Sequence, residues 1–258
     1  MNPWQFIKRL GRRNTEQIVT RLVELAWSKF QVGNYIEARG LLLRTLEFKT
    51  EIQNPILLEW ILTTLSKTWE ETEEYQKWTE FFSDFIAQNP SQAVAYHLRA
   101  ESHWYGGSLS EAVADYSQAL ELNPKDVSAF LGRGQVFMER RDFNRAIEDL
   151  DAAIGSIDSV PGADATWKAE FEAFARNGRA ATYAGLGDFG RALEEFGKSV
   201  ELCPENAWVY YNLAEAYQNH GDQKNAVENY KLALLKKKPK LTALKRTRAE
   251  TALRSLEA

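Results

Sequence analysis

A period of 34 residues constrains this chain more than any single motif does. Small residues recur at Ala112, Ala146, Ala192 and Ala226, in steps of 34, 46 and 34, so the middle step is one period plus twelve. The prolines keep the same count: Pro90 and Pro124 lie 34 apart, and Pro204 follows Pro124 by 80, two periods plus the same twelve. Two independent markers that share a period and an insertion imply internal repeats, each one a supersecondary unit that must stack on its neighbours to bury an apolar face.

Within each period one pattern returns. Tyr210-x-x-Leu213-Ala214-x-x-Tyr217 leads to Gly221-Asp222, then Ala226, Tyr230 and Ala233. Phe130-x-x-Arg133-Gly134-x-x-Phe137 leads to Asp142-Phe143, Ala146, Leu150 and Ala153. Tyr96-x-x-Arg99-Ala100-x-x-His103 leads to Gly107, Ala112, Tyr116, Ala119 and Pro124, and Arg179-Ala180-x-x-Tyr183 leads to Gly187-Asp188, Ala192, Phe196, Ser199 and Pro204. A large residue at i and i+7 with a small one at i+4 gives a helix a ridge and a notch. The second helix reverses the sizes, so two backbones can approach closely. Gly-Asp between them supplies a left-handed stop and a cap for the next helix, and proline stops the second helix.

This pattern resembles the tetratricopeptide repeat (TPR) family over residues 93–238. The resemblance implies an all-α fold, a right-handed α-solenoid of stacked antiparallel helix pairs whose first helices line a concave binding face. Repeats are placed at 93–126, 127–157, 164–206 and 207–239, and degenerate ones at 19–52 and 59–92, within one domain over 1–258. Between the degenerate pair a six-residue insertion falls around Lys49–Pro55. In the second repeat Trp78 holds the position of the recurring alanine, which predicts a splayed or shifted pair. An insertion at 158–169 places a turn at Pro161-Gly162 and a cap at Asp164, so the first helix of the fifth pair starts early and runs about two turns longer. Trp167, Phe171 and Phe174 share one face of it and are expected to pack on the preceding pair, the alternative being a protruding wall at one end of a binding groove. A basic amphipathic helix at 2–12, inside segment 1–18, and a solvating helix within 240–258 flank the repeats.

Composition narrows the function. With 44% hydrophobic residues the chain can build a core, and no apolar run is long enough to span a membrane. Arg12-Arg13 is followed by Glu16, Arg21 and Glu24 instead of an apolar stretch, so no export signal is read. One cysteine, Cys203, and three histidines argue against a disulfide framework and a His/Cys metal cluster, and a cytoplasmic location is expected. No phosphate loop or hydrolase motif is present, His97 and Glu101 read as a surface pair and His103 as a core residue, and Asp142, Asp188 and Asp222 recur once per repeat as turn caps. Neither enzyme activity nor a cofactor is expected.

The expected activity is protein binding. The TPR resemblance puts the non-packing positions of the first helices on the binding face: His97, Glu101, Trp104, Tyr105, Leu131, Gln135, Met138, Glu139, Asn177, Trp208, Tyr211, Asn212 and Glu215. Trp27 and Trp60 extend the set into the degenerate repeats. Aromatics beside carboxylates fit a peptide or helix with apolar anchors and Lys or Arg. TPR domains that grip the C-terminal carboxylate of chaperones use Lys, Asn and Arg on these helices; here the matching positions hold His97, Glu101 and Gly132, or Leu131, Gln135 and Gly178, so that partner class is not expected. Net charge is +4 over 1–13, −8 over 14–126, −7 over 127–230 and +7 over 231–258. The basic ends, Lys236, Lys237, Lys238 and Lys240 above all, leave open docking on membrane or nucleic acid, and self-association stays open as well.

Overall fold

The computed structural model describes residues 14–48, 52, 54–236 and 241–256. Among these residues there are thirteen α-helices and no strand. The packing divides them into two compact units, 1–124 and 125–258, where the repeat pattern alone suggests one domain. The boundary falls at Pro124, the helix-stopping proline of the third pair.

The first unit holds α1 (Asn14–Gln31), α2 (Tyr35–Leu46), α3 (Pro55–Glu71), α4 (Tyr75–Gln88), α5 (Ala93–Tyr105) and α6 (Leu109–Leu122). The second holds α7 (Val127–Glu139), α8 (Phe143–Ser156), α9 (Ala165–Gly185), α10 (Phe189–Leu202), α11 (Ala207–His220), α12 (Gln223–Leu235) and α13 (Ala243–Leu256). Within the units consecutive helices pair, α2, α4, α8 and α10 each pack on the first helix that follows, and first helices meet at α3–α5, α7–α9 and α9–α11. Residues 14–18 lie in α1, the first helix of the first pair. The helix expected at 2–12 and the lysines at 237, 238 and 240 lie outside the described residues.

All six turns within pairs close in the same way. One or two residues past the first helix the backbone turns left-handed: at Gly33, Gly107, Gly187 and Gly221 in four turns, at Glu73 and Arg141 in the other two. The next amide then donates back to a carbonyl five residues upstream, as Asp188 does to Tyr183 and Asp222 to Tyr217, both at 2.9 Å. Asn34, Asp188 and Asp222 cap the second helices by accepting from backbone amides. Asp142, expected to cap, makes no such bond; its carboxylate lies 3.5 Å from Arg145 instead.

Small residues let the pairs close. Ala112, Ala146, Ala192 and Ala226 are all fully buried. Leu150 of α8 seats between two glycines of neighbouring first helices: a methyl group added to Gly134 or Gly178 would lie 3.3 or 3.2 Å from its side chain. Where tryptophan replaces the alanine, at the fully buried Trp78, α3 and α4 pack sparsely on one another, as the substitution predicts. Aromatic rings fill the space that opens: Phe82 stands edge-on to Trp69 and Phe85, with ring centroids 6.4 Å from each.

A feature absent from the sequence reading ties helices together within pairs. Arg99 of α5 forks onto Asp115 of α6, Arg133 of α7 onto Asp149 of α8, and Arg179 of α9 onto Glu195 of α10, each pair sixteen residues apart. His103, expected in the core, is half-buried beside this ladder, with Nε2 3.7 Å from Asp115.

The insertion behaves as expected. Asp164 accepts from the Trp167 amide at 2.8 Å and starts α9, which runs for 21 residues against 13 in α5 and α7. Trp167 and Phe171 stack with centroids 4.0 Å apart, and with Phe174 they pack on Val127, Leu131 and Leu150 of the preceding pair.

Candidate functional site

The candidate residues sit on first helices in both units. In the first unit they gather where α3 lies beside α5. The Tyr105 hydroxyl donates to Glu70 Oε1 at 3.1 Å, and Lys67 donates to Glu70 Oε2 at 3.2 Å. The Tyr105 ring stacks on Tyr75 at 5.7 Å and on Trp104 at 5.4 Å, yet the residue remains 42% exposed. Burial and then the charges of Glu70 and Glu101 push the Tyr105 phenol well above its ordinary pKa, so it stays a neutral donor. Burial works to lower the Lys67 pKa, but Glu70, Glu101 and Glu71 together hold it above the ordinary value. His97 Nε2 lies 3.6 Å from Glu101 Oε1, and its ring stands edge-on to buried Tyr116. The result is an aromatic shelf with an acidic border. Glu70 and Tyr75 belong to it although neither is among the positions expected on the binding face. Further along the same unit, Trp27 of α1 and Trp60 of α3 meet at 5.7 Å, both half-buried.

The second unit departs from expectation. Leu131 is 5% exposed and belongs to the core, because the long α9 covers that side of α7 with Trp167 and Phe171. Asn177 is 4% exposed; its side-chain oxygen accepts from Asn212 Nδ2 at 3.1 Å, so the two asparagines join α9 to α11. Tyr211 is 2% exposed, edge-on to Tyr230 of α12, with its hydroxyl donating to Glu215 at 2.8 Å. These three are packing residues, withdrawn from any partner as the chain stands here. Gln135 and Met138 are half-buried and Glu139 is exposed on α7.

Trp208 is half-buried for a reason that the repeat pattern cannot show. The Lys245 ammonium of α13 lies 4.3 Å from its ring centroid and 4.7 Å from that of Tyr211. The basic C-terminal region is thus partly used inside the unit, since Lys236 also pairs with Glu205 at 2.7 Å and lies over Tyr210. This corrects the expectation of a merely solvating helix. Half-buried Cys203 has its Sγ 3.9 Å from the Ala169 carbonyl, and burial raises its pKa, the opposite of an activated nucleophile. Among the described residues no three His, Cys, Asp or Glu side chains gather to hold a metal, and no helix is long and apolar enough to cross a membrane.

Within each unit the geometry defines a helix-pair repeat protein. The class carries a family name: residues 97–164 and 209–235 match the tetratricopeptide repeat and residues 181–221 the TPR repeat, and the chain is a TPR repeat protein. It is 31% identical over 117 residues to human superkiller complex protein 3, covering 45% of this chain and 7% of that protein. It is 30% identical over 79 residues to the rice protein SGT1 homolog, covering 31% of this chain and 22% of the relative. The match therefore spans less than a quarter of the length of either. The crystal structure of TTC0263, a thermophilic TPR protein of Thermus thermophilus, superposes with a TM-score of 0.58 at 20% identity, covering 78% of this chain and 99% of that one. That likeness concerns the fold, which in general is a scaffold for protein–protein interaction.

Proposed function

We propose that the chain is a non-enzymatic adaptor that captures a segment of a partner protein carrying apolar anchors and Lys or Arg side chains. The observation that carries this reading is the α3–α5 shelf: Tyr105, stacked between Tyr75 and Trp104, stays exposed beside Glu70 and Glu101. Exposed stacked rings bury large area at small entropic loss, and carboxylates at the border favour cationic partners and speed encounter. A cytoplasmic setting suits the single thiol of Cys203.

The test is affinity capture on the immobilised chain at low and moderate salt, comparing wild type with Trp104→Ala and Glu101→Lys. Both variants should keep their helical circular dichroism and lose most of the captured protein. Undiminished capture by both would remove the shelf from consideration as the binding surface.

A further inference from the structure

Helix α13 and the residues just before it dock in the second unit through positions spaced by four: Leu241 ahead of the helix, then Lys245, Ala249 and Leu253 on it. Leu241, Ala249 and Leu253 are buried against Ala207, Tyr210, Tyr211 and Tyr230. The lysine is the anomaly, a cation where the stripe calls for an apolar side chain. Its ammonium faces the rings of Trp208 and Tyr211, and Glu215, which accepts the Tyr211 hydroxyl, stands behind them. The other charged groups acting on it are Glu139 of α7, which favours the cation, and Arg248 of its own helix, which opposes it. Burial outweighs these and lowers the Lys245 pKa, so the ammonium is held there against its hydration. Arg246, Arg248 and Arg254 of the same helix are exposed. A leucine or methionine would fill this space without desolvating a charge. Two aromatic faces and a carboxylate around an ammonium make a recognition site for a cation. The segment that fills it docks through only two leucines and an alanine at these positions, and α13 rests on α12 far less extensively than α11 does.

We propose that the Trp208–Tyr211–Glu215 face of α11 is a lysine-binding site for an amphipathic helix of a partner protein, and that α13 occupies it in cis until such a helix displaces it. This rests on the reading that first-helix faces bind partners, and it specifies the partner's chemistry: a helix that presents a lysine one turn before a small residue and two turns before a leucine. Cis occupancy lowers apparent affinity by the fraction of time the site is covered, so partner binding is regulated by the hold of α13.

A fluorescein-labelled synthetic peptide of residues 241–256 is the probe, titrated with the full chain and followed by anisotropy. Wild type should bind it weakly. In the chain, Lys245→Glu places a carboxylate against Glu215 and Glu139 and should tighten probe binding by about tenfold. Lys245→Met, which keeps the stem, should tighten it to a smaller extent, and Lys245→Arg should match wild type. A probe carrying methionine at the lysine position should lose the gain. Equal binding by the wild-type, Lys245→Glu and Lys245→Met chains, or equal binding of the lysine and methionine probes, would overturn the proposal. Dimerisation of the Lys245→Glu chain that the probe abolishes would overturn the occupant, replacing a partner helix by a second copy. The capture assay on Trp104 and Glu101 reads the other unit, so either reading can fail without the other.

Discussion

Arg99 grips both carboxylate oxygens of Asp115: Nε donates to Oδ2 and Nη2 to Oδ1, each at 2.7 Å, across the α5–α6 pair. The hydrogen bonds to Asp115 lead in raising the already high pKa of Arg99. Removing Arg99 strands Asp115, which is buried. Arg99→Met should cost about 2 to 3 kcal/mol in urea unfolding, below the range for a fully buried pair because Arg99 keeps some exposure to solvent. Arg99→Met with Asp115→Leu should recover more than half of that loss, and a double variant no better than the single would show that the pair is not the unit of stabilisation.

Stability should fall in acid through two carboxylates. Hydrogen bonds from Lys77 and then Thr72, with Arg39 assisting, hold the Glu74 pKa down at about 2, against an ordinary 4.5. For Glu195, burial pushes upward but the bonds from Arg179 and the nearby Arg176 prevail, and its pKa is also lowered. A lowered folded pKa means that the contribution is complete above the unfolded value and disappears as pH falls through the folded one. Melting temperature should therefore decline from about pH 4.5 towards pH 2, and the Glu74→Gln and Glu195→Gln double variant should show a flatter decline from a lower start.

The seat of Leu150 predicts a non-additive pair. Gly178→Val drives a side chain into Leu150 and should cost about 1 to 3 kcal/mol, while Leu150→Ala leaves a cavity worth about 2 to 5 kcal/mol. Together they should cost at least about 1 kcal/mol less than their sum, because the valine fills part of the cavity. Thermal melts of the four chains measure the coupling.

Trp104 and Trp208 should part company, although the repeat register treats them alike. Trp208 packs against the Ala207–Tyr210–Tyr211 cluster under Lys245, so Trp208→Ala should cost about 2 to 3 kcal/mol of stability. Trp104→Ala, which removes a ring stacked on exposed Tyr105, should cost about 1 kcal/mol or less. Equal losses in thermal melting would contradict this division.

Pairing, turn closure and the long fifth-pair helix were legible in the sequence because each depends on residues close along the chain. Gly221-Asp222 stops one helix and caps the next wherever the rest of the chain goes, and Asp164 starts α9 by a bond three residues away. The Arg ladder was within reach as well: Arg99, Arg133 and Arg179 each precede an acid by sixteen residues, a spacing visible once the facing helix is laid beside the first.

The sequence by itself determined the helix-pair repeat, its period, its turns and its insertion, since a large–small alternation at helical spacing admits one close approach of two helices. Tertiary structure alone decided which first-helix side chains reach solvent. Leu131 is covered by an extension of α9, Tyr211 by α12 and α13, and Asn177 by Asn212, while Tyr105 stays open where α3 lies beside α5. Burial at such a position is set by whichever helix lies across it, and that neighbour comes from tens of residues away with no periodic relation to the site it covers.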